Sequence, residues 1–304
     1  MRHTMNTVKF IVSAIVFILA VSCGESDMTP GYIAKQPKIL ALKITNPEIR
    51  NGDAFSLNLL VAGQSVDQNM TNEVEWILGA DLNDTSNYSV ALGRAPYNQT
   101  FTLDETIWDT IPQDSINELM GDRTWIDIPV MAKVVVNGTT LRGIKTLRMT
   151  EMPAGMNPVI RAVTAKYGTE TITITRNENR ILTLAGDSIP DNFALTANMQ
   201  DMGEFNDKLI YQWSVSAARW GEGELYINSE KKDIEQLLGE NATAAEYRES
   251  VVFSTQGEDG DDPVQFGEYD IFLVVRDKKI DSSGREEDRF GLDFFHFTFI
   301  LSDH

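Results

Sequence analysis

Two hydrophobic patterns divide this chain. Near its start, Phe10-Ile-Val-Ser-Ala-Ile-Val-Phe-Ile-Leu-Ala-Val-Ser-Cys23 is almost unbroken apolar sequence. After residue 36 the apolar runs are short, mostly alternate with polar residues, and are interrupted by Gly, Asn, Asp and Pro. Alternation with a period of two is the mark of strands with one buried face, and many short strands between turn residues predict antiparallel sandwiches. Leu40-Ala-Leu-Lys-Ile44, Ala54-Phe-Ser-Leu-Asn-Leu-Leu-Val61, Val74-Glu-Trp-Ile-Leu78 and Phe101-Thr-Leu103 read as strands. Residues 126–136 and 140–149 read as a long hairpin, because Asn137-Gly138 between two such runs fits a tight turn that needs positive φ.

The second half repeats the order of the first. Pro37-Lys-Ile-Leu-Ala41 is echoed by Pro158-Val-Ile-Arg-Ala162, Gly52-Asp53 by Gly186-Asp187, and Glu75-Trp76 by Gln212-Trp213. Ile116-Asn-Glu-Leu-Met-Gly121 and Ile234-Glu-Gln-Leu-Leu-Gly239 have helical spacing and a terminal Gly suited to a left-handed cap, so each half is expected to carry one short helix. Val130-Met-Ala-Lys-Val-Val-Val136 is echoed by Tyr269-Asp-Ile-Phe-Leu-Val-Val275, and a last strand follows each, at 140–149 and 292–301. The two prolines and glycine of Glu151-Met-Pro-Ala-Gly-Met-Asn-Pro158 interrupt both strand and helix and mark the boundary. The expected domains are 37–152 and 157–303.

Some of these residues resemble a known family. Gly267-Glu-Tyr-Asp-Ile-Phe-Leu-Val-Val-Arg-Asp277 is similar to the Gly-x-Tyr-x-Val-x-Leu-x-Val-x-Asp strand of bacterial immunoglobulin-like and PKD-like domains, and Tyr211-Gln-Trp-Ser-Val215 resembles their central Trp strand. The Trp-Asp-Phe-Gly-Asp-Gly motif of strict PKD domains is absent after Trp213. The resemblance implies an all-β fold of two tandem immunoglobulin-like sandwiches. It rests on core positions, so it implies no particular activity.

The first apolar run carries a different message. Arg2 and Lys9 precede it without an acid, and small residues close it, the order of a secretory signal. At about a dozen residues it is shorter than the roughly 20 needed to span a bilayer. Ala20-Val-Ser-Cys23 resembles the lipobox of bacterial lipoproteins, although Leu19 sits one place before the usual leucine position. The resemblance implies removal of residues 1–22 and lipidation of Cys23. As the only cysteine, Cys23 would otherwise be a lone thiol in an oxidising compartment. Several acyl chains hold stably where one holds weakly. Residues 23–36 are then a lipidated Cys and a flexible tether, reaching roughly 20 Å on average. Gly24 in place of an Asp after the lipidated Cys points to the outer membrane, periplasmic or surface-exposed.

The whole chain has a net charge of −19, and loss of Arg2 and Lys9 makes the mature form two charges more negative. Such a chain is repelled by nucleic acid, which is excluded as a partner. The 304 residues and 42 % hydrophobic content suffice for two packed cores.

Histidine is nearly absent: His3, His296 and His304. That argues against Ser-His-Asp devices and multi-His zinc sites, so no catalytic residue is assigned. His296 shares a strand face with Phe294 and Thr298 and reads as a surface or packed residue. Asp259, Asp261 and Asp262 cluster in the acidic loop 257–262, and calcium takes six to eight oxygens of this kind. The alternative is a solvated loop. Trp76 and Trp213 read as core anchors, whereas Trp108, Trp125 and Trp220 lie near turns or segment ends. Exposed, those three would stack on sugar rings; buried, they close the core under a loop. The expectation is a membrane-anchored, non-enzymatic module for binding, adhesion or structure, with a protein or glycan partner. A carbohydrate-binding accessory protein is the alternative, and a hydrolase a more distant one.

Overall fold

A computed structural model describes residues 33–50, 53–64, 66, 72–79, 90–96, 101–103, 125–151, 156–176, 181–186, 189–201, 209–220, 224–228, 238, 249–256, 263–280 and 286–303. These residues are almost entirely β. The first sandwich follows β1 (Ile33–Ala34) and is built from β2 (Lys38–Ile44), β3 (Glu48–Ile49), β4 (Phe55–Ala62), β5 (Glu73–Leu78), β6 (Val90–Pro96), β7 (Phe101–Leu103), β8 (Trp125–Val136) and β9 (Thr139–Thr150). The second contains β10 (Ile160–Tyr167), β11 (Glu170–Thr175), β12 (Ile181–Ala185), β13 (Asn192–Met199), β14 (Leu209–Ser216), β15 (Tyr226–Asn228), β16 (Ser250–Ser254), β17 (Gly267–Ile280) and β18 (Glu286–Ser302).

In the first sandwich a sheet of order β2-β4-β7 faces one of order β3-β9-β8-β5-β6. In the second, β11-β10-β13-β16-β15 faces β1-β14-β17-β18-β12. The first strand of each sandwich pairs antiparallel in one sheet, and the chain then crosses to pair parallel with the last strand of the other: β3 with β9, β12 with β18. That crossing, shared by both halves, makes them two immunoglobulin-like sandwiches in tandem.

Alternation decides which side chains enter the cores. In β5 the buried residues are Val74, Trp76 and Leu78; in β8 they include Ile126, Ile128, Val130, Ala132, Val134 and Val136. Trp76 lies opposite Ala132, and Trp213 opposite Leu273. Both tryptophans are buried in their cores. The sequence echo aligns Ala132 with Ile271 instead, a slip of two residues. A slip of two leaves every side chain on its own face, so a pattern of period two does not reveal it. Asn137 (φ 49°) and Gly138 (φ 77°) make the tight turn between β8 and β9, as their sequence predicts. Tyr269, near the start of β17, donates its hydroxyl to the carbonyl of Gln265 at 2.7 Å, a corner recurrent in immunoglobulin-like sandwiches.

Both helical segments fall outside the described residues, except that Leu238 is helical and packs against Ala194 and Val252. They stand at different places in the strand order. Residues 104–124 connect β7 to β8, whereas 229–249 connect β15 to β16.

The flexible stretch expected up to residue 36 does not reach that far. Residues 33 and 34 pair in parallel with Val215 and Ser216 of β14, so this part of the chain belongs to a sheet of the second sandwich. Ala34 is 1 % exposed, and Lys35 forms an ion pair with Glu224. A small apolar side chain followed by a lysine suits a strand that ends beside an acidic neighbour. The chain touches the second sandwich before building the first.

The two sandwiches share an apolar interface. Leu40, Ala41, Leu60 and Ala62 of the first pack with Ala34 against Phe272, Val274 and Leu292 on the outer face of the second's β17 and β18. Polar contacts frame it. Asn157, in the segment joining the sandwiches, donates to the carbonyls of Ile44 (2.8 Å) and Thr45 (2.7 Å) and accepts from the Leu292 amide (2.8 Å). Gly291 lets this segment approach: a Cβ there would lie 2.5 Å from the Met156 carbonyl. Gln64 donates to the carbonyl of Ala218 at 2.8 Å.

Candidate binding surfaces

Cys23, Trp108, Asp259, Asp261 and Asp262 lie outside the described residues, so the lipidation and calcium readings receive no geometry. Among the described residues no group of three His, Cys, Asp or Glu side chains is placed to hold a metal ion. No described helix is long and apolar enough to cross a membrane.

Trp125 and Trp220 are described, and they lie on different sandwiches. Trp125 opens β8 opposite Thr150 and is 37 % exposed. The Arg148 guanidinium lies 5.2 Å from its ring centroid and makes a two-pronged ion pair with Asp127 (2.7 and 2.9 Å). The cation lies over one face of the ring. Trp220 follows the end of β14 and is 44 % exposed. Across from it, Phe266 before β17 is also exposed, and the intervening Gly267 approaches the Trp220 carbonyl closely. Sequence reading missed Phe266 because nothing near it marks it as exposed.

Two buried carboxylates, also missed, organise the second sandwich. Asp293 is 2 % exposed and accepts from Lys43 Nζ (2.7 Å), Arg176 Nη2 (2.5 Å) and the Ile160 amide (2.8 Å). It therefore ties β2 of the first sandwich to the start of β10 and to the residue after β11. Asp270 is fully buried on the outer face of β17. It pairs with Arg219, meets His296 Nε2 at 2.8 Å, and accepts from Thr298 Oγ1 at 3.5 Å. His296 stacks on Phe272 with centroids 5.1 Å apart. It is thus a packed strand residue whose ring joins this polar cluster to the interface phenylalanine. Arg219 also pairs with Glu268 at 3.0 Å. Every carboxylate oxygen here meets a cation or hydroxyl, so neither buried side chain is left with an unsatisfied acceptor. The arrangement fixes strands to one another.

No protein-family model matches the chain, and no curated protein matches it. Solved structures similar over most of its length include a chimeric titin Z1Z2 at 8 % identity (89 % of this chain, 99 % of that one, TM-score 0.20). A marsupial T cell receptor is 11 % identical (86 % and 95 %, TM-score 0.21). The three N-terminal domains of the bacteriophage RB49 outer capsid protein Hoc are 12 % identical (88 % and 100 %, TM-score 0.22). At such scores these similarities carry no argument; the immunoglobulin-like assignment stands on the strand order and pairing of this chain.

Proposed function

We propose that this chain is a bacterial cell-envelope lipoprotein, anchored through Cys23 at the outer membrane, whose two sandwiches form a non-enzymatic binding or structural module. The observation that carries the reading is the course of the chain after the anchor. Nine residues lie between Cys23 and Ile33, and the ten Cα–Cα steps span at most about 36 Å when fully extended. There the chain becomes part of the second sandwich's sheet, and the first sandwich packs on the same sheet. Such a chain hands position from the anchor to a joined pair of domains. The acidity of the chain supports a lipid anchor rather than charge as the means of membrane attachment.

Metabolic labelling with palmitate tests the anchor: label should enter the wild-type chain and be lost in Cys23→Ala. Unlabelled wild type would refute it. Protease treatment of intact and lysed cells then separates surface exposure from a periplasmic location.

A second reading, glycan binding, is favoured by two exposed aromatic residues, Trp220 and Phe266. It expects wild type to be retarded in gels containing soluble polysaccharide, and W220A/F266A to run freely while keeping its Tm. Equal mobility of the two across a polysaccharide panel would remove it.

A further inference from the structure

In the chain as a whole acids outnumber Lys and Arg by 45 to 26. The outer face of the first sandwich departs from that balance. Arg142 of β9, Lys133 of β8, Glu75 of β5 and Arg94 of β6 stand side by side in one row across four strands. The row holds three cations and one acid. Lys133 takes the acid, at 3.1 Å. Arg94 reaches Glu73 at 3.9 Å with both side chains in solvent, a pair worth little. Arg142 is exposed and makes no ion pair among the described residues. It also lies directly opposite Lys133, and like charges in that position are destabilising. The fold gains nothing from this arrangement, whereas a carboxylate supplied from outside would relieve it.

The rows on either side of the cations supply apolar contact. Ile144 stands opposite Met131, and Met131 opposite Ile77. Ile144 is 36 % exposed, and Val135, two residues beyond Lys133, is 50 % exposed. Rows of one face are about 7 Å apart, so a single partner surface spans the cations and both aliphatic side chains. Arg and Met are enriched in protein interfaces. The equivalent face of the second sandwich receives a protein surface within this chain. Phe272 and Val274, which align with Met131 and Lys133, are buried there against Leu40, Ala41, Leu60 and Ala62. That face is apolar and so is its cover; on the first sandwich one of the two positions is cationic, so the matching cover carries acid.

We propose that the outer face of β8 and β9 is a docking surface for a protein partner that presents carboxylates beside aliphatic side chains. The carboxylates meet Arg142 and Lys133, and the aliphatic groups meet Ile144 and Val135. A short acidic segment fits this face, whereas a long polyanion would run into the acidic remainder of the chain. The inference rests on reading the chain as a binding module and is independent of its anchor.

The test uses the full chain, immobilised and used to select from a displayed library of random peptides. The enriched peptides should place Asp or Glu next to Leu, Ile or Val, and synthetic copies should bind more weakly as salt is raised. Arg142→Glu and Ile144→Asp should each weaken that binding roughly tenfold or more, the loss of one charge-assisted or apolar contact, with Tm unchanged. Arg161→Glu makes the same charge change at an exposed site on the second sandwich and should bind as wild type does. Palmitate labelling is indifferent to all three substitutions, so failure here and failure of the anchor are told apart. Enrichment of peptides without acids, no enrichment over a bare support, or equal losses in Arg142→Glu and Arg161→Glu would each overturn the proposal. So would a wild-type dimer in sedimentation velocity that Arg142→Glu dissolves, since the occupant would then be a second copy.

Discussion

The two sandwiches present equivalent sheets to their surroundings and treat them differently. On the first, the outer face of β5, β6, β8 and β9 carries a ladder of surface ion pairs: Arg94 with Glu73, Lys133 with Glu75 at 3.1 Å, and Arg148 with Asp127. On the second, the outer face of β17 and β18 carries Phe272, Val274 and Leu292, buried beneath the first sandwich. Aligned by their tryptophans, Met131 and Lys133 stand where Phe272 and Val274 do. One fold thus yields an exposed sheet or a covered one, according to which residues occupy the outward half of the alternation. A strand apolar on both faces is covered on both. Residues 271–275, Ile-Phe-Leu-Val-Val, are buried without interruption.

The largest effect should come from Asp293→Ala. It would leave Lys43 and Arg176 without their shared carboxylate, and breaking a buried pair costs about 3–5 kcal/mol. Urea unfolding should show that loss, and a change under 1 kcal/mol would remove Asp293 from its central place. Phe272→Ala should cost about 3 kcal/mol, since the ring is fully buried between the sandwiches. Its cost should appear as weakened coupling between them, with each core intact in near-ultraviolet circular dichroism.

Tyr269→Phe should cost about 1 kcal/mol at neutral pH through the lost bond to Gln265. Burial and, secondarily, the nearby Glu224 push the Tyr269 phenol well above its ordinary value of 10.0. The neutral phenol is therefore favoured by the fold. Its contribution is complete below pH 10 and declines as pH rises beyond that, because the unfolded chain releases the proton first. The alkaline loss of stability, followed by urea midpoints from pH 8 to 11, should be shallower in Tyr269→Phe than in wild type. The smallest effect is expected on the exposed ladder, where Lys133→Ala should shift stability by about 0.5 kcal/mol or less. A larger shift would mean that this face is covered as its counterpart is.

Strand positions, the Asn137-Gly138 hairpin and the core tryptophans were legible because burial on one face writes a period of two into the sequence. The interface was partly legible in the same terms, since Ile271-Phe-Leu-Val-Val275 alternates poorly for a strand with one wet face. β11 was missed: the Gly168 turn before it is a weak signal, and its Thr-Ile alternation is that of an edge strand touching the core only at Ile174. Asp270 and Asp293 were not legible as buried sites. Their partners Arg219, His296, Lys43 and Arg176 are up to 250 positions away in the chain, and only the folded register brings them together. The course of residues 33 and 34 was hidden for a similar reason, because two residues carry no period.

The central claim is that the two sandwiches and the strand Ile33–Ala34 form one cooperative unit. Differential scanning calorimetry of the full chain tests it most directly. The account predicts one transition with equal calorimetric and van't Hoff enthalpies, splitting into two when Phe272→Asp places a charge in the shared interface. Two separate transitions in the wild-type chain, unchanged by that substitution, would contradict it.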